Sequence, residues 1–160
     1  MTGNIIQISD YPIPADERMT AGCFCSEDWF CREIADSVYD TENYQEDLTW
    51  LYNTFHHLVE QPYMIYHGMF VFKPDFKQTW FADKHRAFIE AAQRLSQVSL
   101  DHFIAYVDLH DLCDAYDTRF EAYVQYTEQF SDETLTLDDF VRSAEPGKAY
   151  YIGGACDYHF

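Results

Sequence analysis

The chain has 160 residues, which fits a single domain over 1–160 and allows folding to bury roughly two thirds of the extended surface. An apolar content of 48% with 18% aromatic residues excludes a disordered acidic tail, so the formal charge of −18 is expected on a folded body. That charge makes nucleic acid and anionic membranes poor direct partners, and no run of about eighteen apolar residues is present to span a bilayer.

Asn4–Ile8 reads as a short edge strand, and Pro12 and Pro14 mark an extended connection into a loop that reaches Gly22. Ser26 caps an expected helix with Glu27 and Asp28 in its first turn. Trp29, Phe30, Ile34 and Val38 line its inner side, and Glu33, Asp36 and Asp40 its outer side. A second helix is expected from Thr41 or Asn43 to Glu60 on the stripe Tyr44, Leu48, Leu51, Tyr52, Phe55 and Leu58, ended by Pro62. Tyr63–Phe72 is rich in aromatic and branched residues. It fits a hairpin about His67-Gly68, or one strand with Gly68 as a bulge. After the turn Lys73-Pro74-Asp75, a helix is expected from Asp83 to Gln97, carrying the basic cluster Lys84, Arg86 and Arg94. Ser99 then caps a short helix, with a strand at 102–107 as the alternative.

The stretch from Asp108 to Glu128 carries the strongest pattern. As a helix it puts Leu109, Leu112, Cys113, Tyr116, Phe120, Tyr123 and Val124 on one side at steps of three and four. Asp108, Asp111, Asp114, Asp117, Glu121 and Glu128 fall on the other, interrupted by Arg119. Neighbouring carboxylates on such a face lie roughly 5–6 Å apart, close to the spacing of phosphates along a nucleic-acid strand. Beyond it, Thr136 caps a helix to about Ala144 and Pro146-Gly147 breaks it. Ala149–Ile152 is strand-like, and Gly153-Gly154 turns tightly into the aromatic tail Tyr158–Phe160. The expected fold is α+β, a mainly helical single domain around a small antiparallel sheet.

Charge is unevenly distributed. Residues 1–60 hold twelve acids against two bases, 61–100 hold three against five, and 101–160 hold thirteen against three. A surface tuned for solubility alone mixes both signs more evenly.

Catalytic and metal motifs are weak. Cys23-x-Cys25 with Cys31, His110-x-x-Cys113 and Cys156-x-x-His159 offer soft ligands, yet none completes a zinc knuckle pair, so no metal or cofactor is expected. The odd count of five cysteines and the closeness of Cys23 to Cys25 point to reduced thiols, and the N-terminus lacks a secretory signal, so a cytoplasmic location is expected. His56-His57 does not give the HExxH order, no GxSxG is present, and Gly153-Gly154 precedes no helix that would cradle phosphate. Glu46-Asp47 and Asp138-Asp139 sit at helix starts, where carboxylates stabilise the positive end without catalysis.

These features point away from an enzyme and toward an inhibitor that presents carboxylates where phosphates would lie, in the nucleic-acid groove of a basic nuclease or of a CRISPR or restriction complex. The expected contacts are Asp108, Asp111, Asp114, Asp117, Glu121 and Glu128, with Glu33, Asp36 and Asp40 as a second array. In size and charge the chain resembles phage and plasmid anti-restriction and anti-CRISPR proteins, without sharing a motif with them. The alternatives are an immunity protein that neutralises a basic nuclease toxin through a compact acidic patch with aromatic anchors, an enzyme or metal-dependent domain, which would need a concave pocket of thiols and imidazoles, and a plain acidic interaction domain. The aromatic excess also leaves room for a homodimer surface.

Overall fold

The structure is a computed structural model and describes residues 2–105, 122–128 and 131–160. Its framework is β6 (Ala149–His159). One edge of β6 pairs antiparallel with β1 (Thr2–Ser9). Two short strands share the other edge, β3 (Met69–Val71) beside Ala149–Tyr151 and β2 (Ser37–Asp40) beside Cys156–His159. Beyond β1, β4 (Ala122–Glu128) runs parallel, and β5 (Ser131–Thr136) closes the series antiparallel to β4. A six-stranded mixed sheet therefore replaces the expected mainly helical domain around a small antiparallel sheet, within the same broad α+β class.

Three local readings explain the correction. First, β1 is interior rather than an edge. Ile5, Ile6 and Ile8 are all buried, and a strand apolar on both faces belongs between neighbours with both faces covered. Second, Ala122–Glu128 is a strand, so a helix over 108–128 is excluded at its C-terminal end. Tyr123 and Val124 fit either periodicity, but in the strand they point to opposite faces. Tyr123 packs its ring 4.9 Å from Phe30 and 5.8 Å from Tyr158, while Val124 enters the other core. Third, Gly153-Gly154 is no turn. Ile6 pairs with Ala155 and Ile8 with Ile152, so β6 carries one extra residue opposite Gln7, a β-bulge.

The bulge is held by a buried side chain. Gln7 Oε1 accepts from the Met19 and Gly154 amides at 2.8 and 3.0 Å, and Gln7 Nε2 donates to the Glu17 carbonyl and Thr127 Oγ1 at 3.1 and 3.2 Å. Gln7 thereby satisfies its own donors and acceptor while tying the 14–20 loop to the sheet.

One face of the sheet is covered by α2 (Tyr44–Phe55) and α5 (Leu137–Ser143), with Leu48, Leu51, Phe55, Phe140 and Val141 packed onto Ile6, Ile8, Val124 and Ile152. Phe70, Phe72, Phe76 and Tyr150 extend this core, the Phe72 and Phe76 rings stacking at 4.2 Å. The opposite face holds a smaller core of Ile5, Met19, Phe30, Ala35, Tyr123, Cys156 and Tyr158. Thr136 caps α5 as expected, accepting from the Asp139 amide at 3.1 Å.

Elsewhere the helices shift. α1 covers Trp29–Glu33 and stops where the Ile34 and Ala35 amides both bond to the Phe30 carbonyl. The chain then enters β2 through the Asp36 amide, which donates to the His159 carbonyl at 2.8 Å. Pro62–His67 is a 3₁₀ helix ended by Gly68 in the left-handed region, so Tyr63–Phe72 is neither hairpin nor single strand. α3 (Phe76–Ser96) begins directly after the Lys73–Asp75 turn, seven residues before its expected start. α4 (Leu100–Ala105) is capped by Ser99, whose Oγ accepts from the His102 amide at 3.2 Å. No helix among the described residues is long and apolar enough to cross a membrane.

Candidate functional site

An acidic cleft follows from where β2 ends and α2 begins. Between Arg32 and Lys73 the sequence has no lysine or arginine but seven carboxylates: Glu33, Asp36, Asp40, Glu42, Glu46, Asp47 and Glu60. This segment builds edge strand β2 and then α2, whose first turn lies over one end of the sheet. There Asn4 on β1 and Asp157 on β6 stand opposite each other in register, and Tyr39 of β2 is the next neighbour across. Cross-strand partners share a face, so Asn4 and Asp157 both lie on the face that α2 covers.

The result is an open cleft of about 650 Å³ lined by Asn4, Thr41, Glu42, Asn43, Glu46, Asp47, Trp50 and Asp157. Asp47, 4% exposed, belongs to the floor. Its Oδ1 accepts from Asn4 Nδ2 at 2.8 Å, whereas its buried Oδ2 accepts no hydrogen bond from any described residue. Trp50 stands one turn further along α2, on the same side as Glu46 and Asp47. At the rim Asn43 Nδ2 donates to Glu46 Oε1 at 2.6 Å. Burial, and then the negative charges of Asp47 and Glu42, hold the Asp157 carboxyl above the usual aspartate range. No ion pair among the described residues reaches Glu42, Glu46, Asp47 or Asp157.

Several of the chain's cations are engaged elsewhere. Lys84 binds Asp138 at 2.5 Å, Arg142 binds Asp139 at 2.8 Å, Lys148 binds Asp10 at 3.1 Å, and Arg86 pairs with Asp83. Lys73 and Lys77 donate to the carbonyls of His57 and Arg142.

The expected contact residues are distributed differently from the two helical arrays foreseen. Asp108, Asp111, Asp114, Asp117 and Glu121 lie outside the described residues. Glu128 is the last residue of β4, hence not part of a helical row. Glu33, Asp36 and Asp40 are exposed but occupy the end of α1, the connection and the end of β2, so they form no helix face. Asp40 is tied down, its Oδ1 accepting from the Ala21 amide at 2.7 Å. Asp36 lies 4.0 Å from the His159 ring.

The described cysteines and histidines do not converge. No group of three or more His, Cys, Asp or Glu side chains among the described residues is placed to hold a metal ion. Cys156 is buried, and burial pushes its thiol up to about 12, while His159 is exposed three positions along the same strand. Cys23 and Cys25 are exposed thiols on the surface.

Chemically, the cleft is mainly an acceptor: four carboxylates, two side-chain amides and the Thr41 hydroxyl share it with one indole. No protein-family model matches the chain, and comparison with the curated proteins and with the solved structures found no match.

Proposed function

We propose that this protein is a non-catalytic, cytoplasmic inhibitor that binds the cationic, nucleic-acid-handling surface of another protein, of the kind carried by nucleases and by restriction or CRISPR complexes. The observation that carries the reading is the forty-residue segment 33–72, which has seven carboxylates and no lysine or arginine and folds so that Glu42, Glu46 and Asp47 join Asp157 around one cleft. Carboxylates left without cations of their own raise the local negative potential. They favour encounter with a basic surface and repel nucleic acid.

Between a long strip of mimicked phosphates and a compact acidic patch, the cleft favours the patch. Its carboxylates come from the start of α2, the residue Glu42 before it and β6, and share one cleft with Trp50 rather than running along a single helix. A compact interface concentrates its energy on a few aromatic and charged anchors.

The test is capture from a bacterial lysate at low salt, elution with a salt gradient, and assay of each eluted protein for DNA and RNA binding with and without the chain. A protein that loses nucleic acid when the native chain is added, but not when Glu42→Gln/Glu46→Gln/Asp157→Asn is added, is the expected outcome. Absence of any such displacement would remove the inhibitor reading.

A further inference from the structure

We infer that the cleft at the start of α2 is a receptor for the guanidinium group of an arginine on a partner protein, with Asp47 as the deep acceptor and Trp50 as the stacking wall. The inference deepens the reading of this cleft as a contact for a basic partner.

The fold contains its own template for such a site. Asp138, in the first turn of α5, is 3% exposed, as deeply buried as Asp47 in the first turn of α2. Its Oδ1 accepts from Trp80 Nε1 at 3.0 Å, its Oδ2 meets Lys84 Nζ at 2.5 Å, and Arg142 Nη2 lies 3.9 Å away. The Arg142 guanidinium also stacks 4.8 Å from the Phe81 ring. A buried carboxylate at a helix start is thus met by an indole, cations and an aromatic face. At Asp47 an indole, that of Trp50, lines the same cleft without donating to the carboxylate, no described lysine or arginine pairs with it, and Oδ2 is unpaired. A buried unpaired carboxylate oxygen is costly enough to be rare, and the residue that carries it lines a cleft of about 650 Å³, so a cation entering there would have to reach past the cleft surface to pair with it.

The chemistry selects the cation. Calcium takes six to eight oxygens at about 2.3–2.6 Å and zinc four close ligands, and no group of three or more carboxylate, imidazole or thiol side chains among the described residues is gathered tightly enough to provide them. A guanidinium is planar and offers five donors. It can bind a carboxylate through two parallel bonds while its face lies on an indole. Asp47 supplies an acceptor at the floor, Asp157 and Glu42 supply further charge, and Trp50 supplies the face. A lysine ammonium gains the charge but neither the paired bonds nor the stacking.

The test uses acetyl-arginine amide as an isolated probe, so it can succeed or fail whether or not a protein partner is ever captured. Titration should give a saturable change in tryptophan fluorescence that Trp50→Phe abolishes, together with a rise in melting temperature. Affinity should fall about tenfold in Asp47→Asn, the loss expected for one charge-assisted contact. Acetyl-lysine amide should bind several times more weakly and calcium chloride should not compete beyond its ionic strength. Circular dichroism of Asp47→Asn checks its fold. Should that variant be unfolded, Asp157→Asn provides the same comparison from the cleft wall, with a smaller loss of several-fold. Equal binding by native protein and both variants, equal binding of the lysine probe, saturation by calcium at lower concentration, or no saturable response would each overturn the inference.

Discussion

Asp157 carries its charge in the least favourable place on β6. Burial and the neighbouring charges of Asp47 and Glu42 raise its carboxyl above the ordinary value of 3.8. A folded-state value above the unfolded one means that the folded protein binds the extra proton in the interval between them, so stability declines as pH rises through that interval and stays lower above it. Asp157→Asn removes the group. The variant should therefore approach the melting temperature of the native protein well below the ordinary value, near about pH 2.5, where the group is protonated in both the folded and the unfolded state, and melt at a higher temperature at neutral pH. Melting curves over that range decide the matter, and a variant less stable at neutral pH would mean that the Asp157 carboxylate is stabilised by a contact. The companion residue, Asp47, was legible in the sequence in a way charge counting overlooks. Tyr44, Asp47, Leu48, Leu51 and Phe55 follow helical steps of three and four, so Asp47 occupies a slot on the apolar stripe of α2 and is driven inward by its neighbours. Asn4 and Asp157 gave no such signal. Their part in the cleft depends on a pairing of residues more than 150 positions apart.

Among the elements, the turn before β3 and the bulge in β6 separate two uses of glycine that look alike in sequence. Gly68 ends the 3₁₀ helix at φ 81°, and a Cβ there would meet the Ile152 carbonyl at 3.9 Å, an ordinary contact. Gly68→Ala should thus cost only the left-handed backbone term, about 1–2 kcal/mol. Gly154 has no such dihedral, but its Cβ would run into the backbone of Met19. Gly154→Ala should cost about 3 kcal/mol or more, because two backbone segments clamped by Gln7 must separate. Urea denaturation measures both, and equal losses would deny that the bulge is the tighter site. Helix α5 and the start of α2 were legible because local signals agree there, an apolar stripe in α2 and in α5 the Thr136 cap. Helix α2 ends at Phe55 rather than at the expected Glu60, because Leu58–Glu60 turn to bond with Val71–Lys73. β4 was not, since Tyr123 and Val124 satisfy a helical stripe and a doubly buried strand equally well, and the choice is made by distant β1. β6 was cut short in the reading because paired glycines signal a turn unless a partner such as Gln7 supplies the bulge.

At the scale of the whole molecule, the charge of −18 acts on folding and on binding with opposite signs. Like charges spread over a compact body repel one another, and unfolding moves them apart, so the folded state carries an electrostatic penalty that salt relieves. The described lysine and arginine ion pairs gather around α3, α5 and Lys148, and within segment 33–72 only Asp36 comes within 4.0 Å of a described cationic group, the His159 ring, so that penalty is left largely unrelieved at the cleft. Raising potassium chloride from about 10 mM to about 300 mM shortens the screening length from about 30 Å to less than 8 Å, and the melting temperature should rise by several degrees. Over the same range the affinity for a basic partner should fall, because screening removes the attraction between the two molecules. A housekeeping acidic surface predicts the first effect without the second. A melting temperature that is flat or falls with salt would mean that the carboxylates are already neutralised by neighbours within the fold. The acidic cleft would then lack the excess negative potential on which attraction of a cationic surface depends.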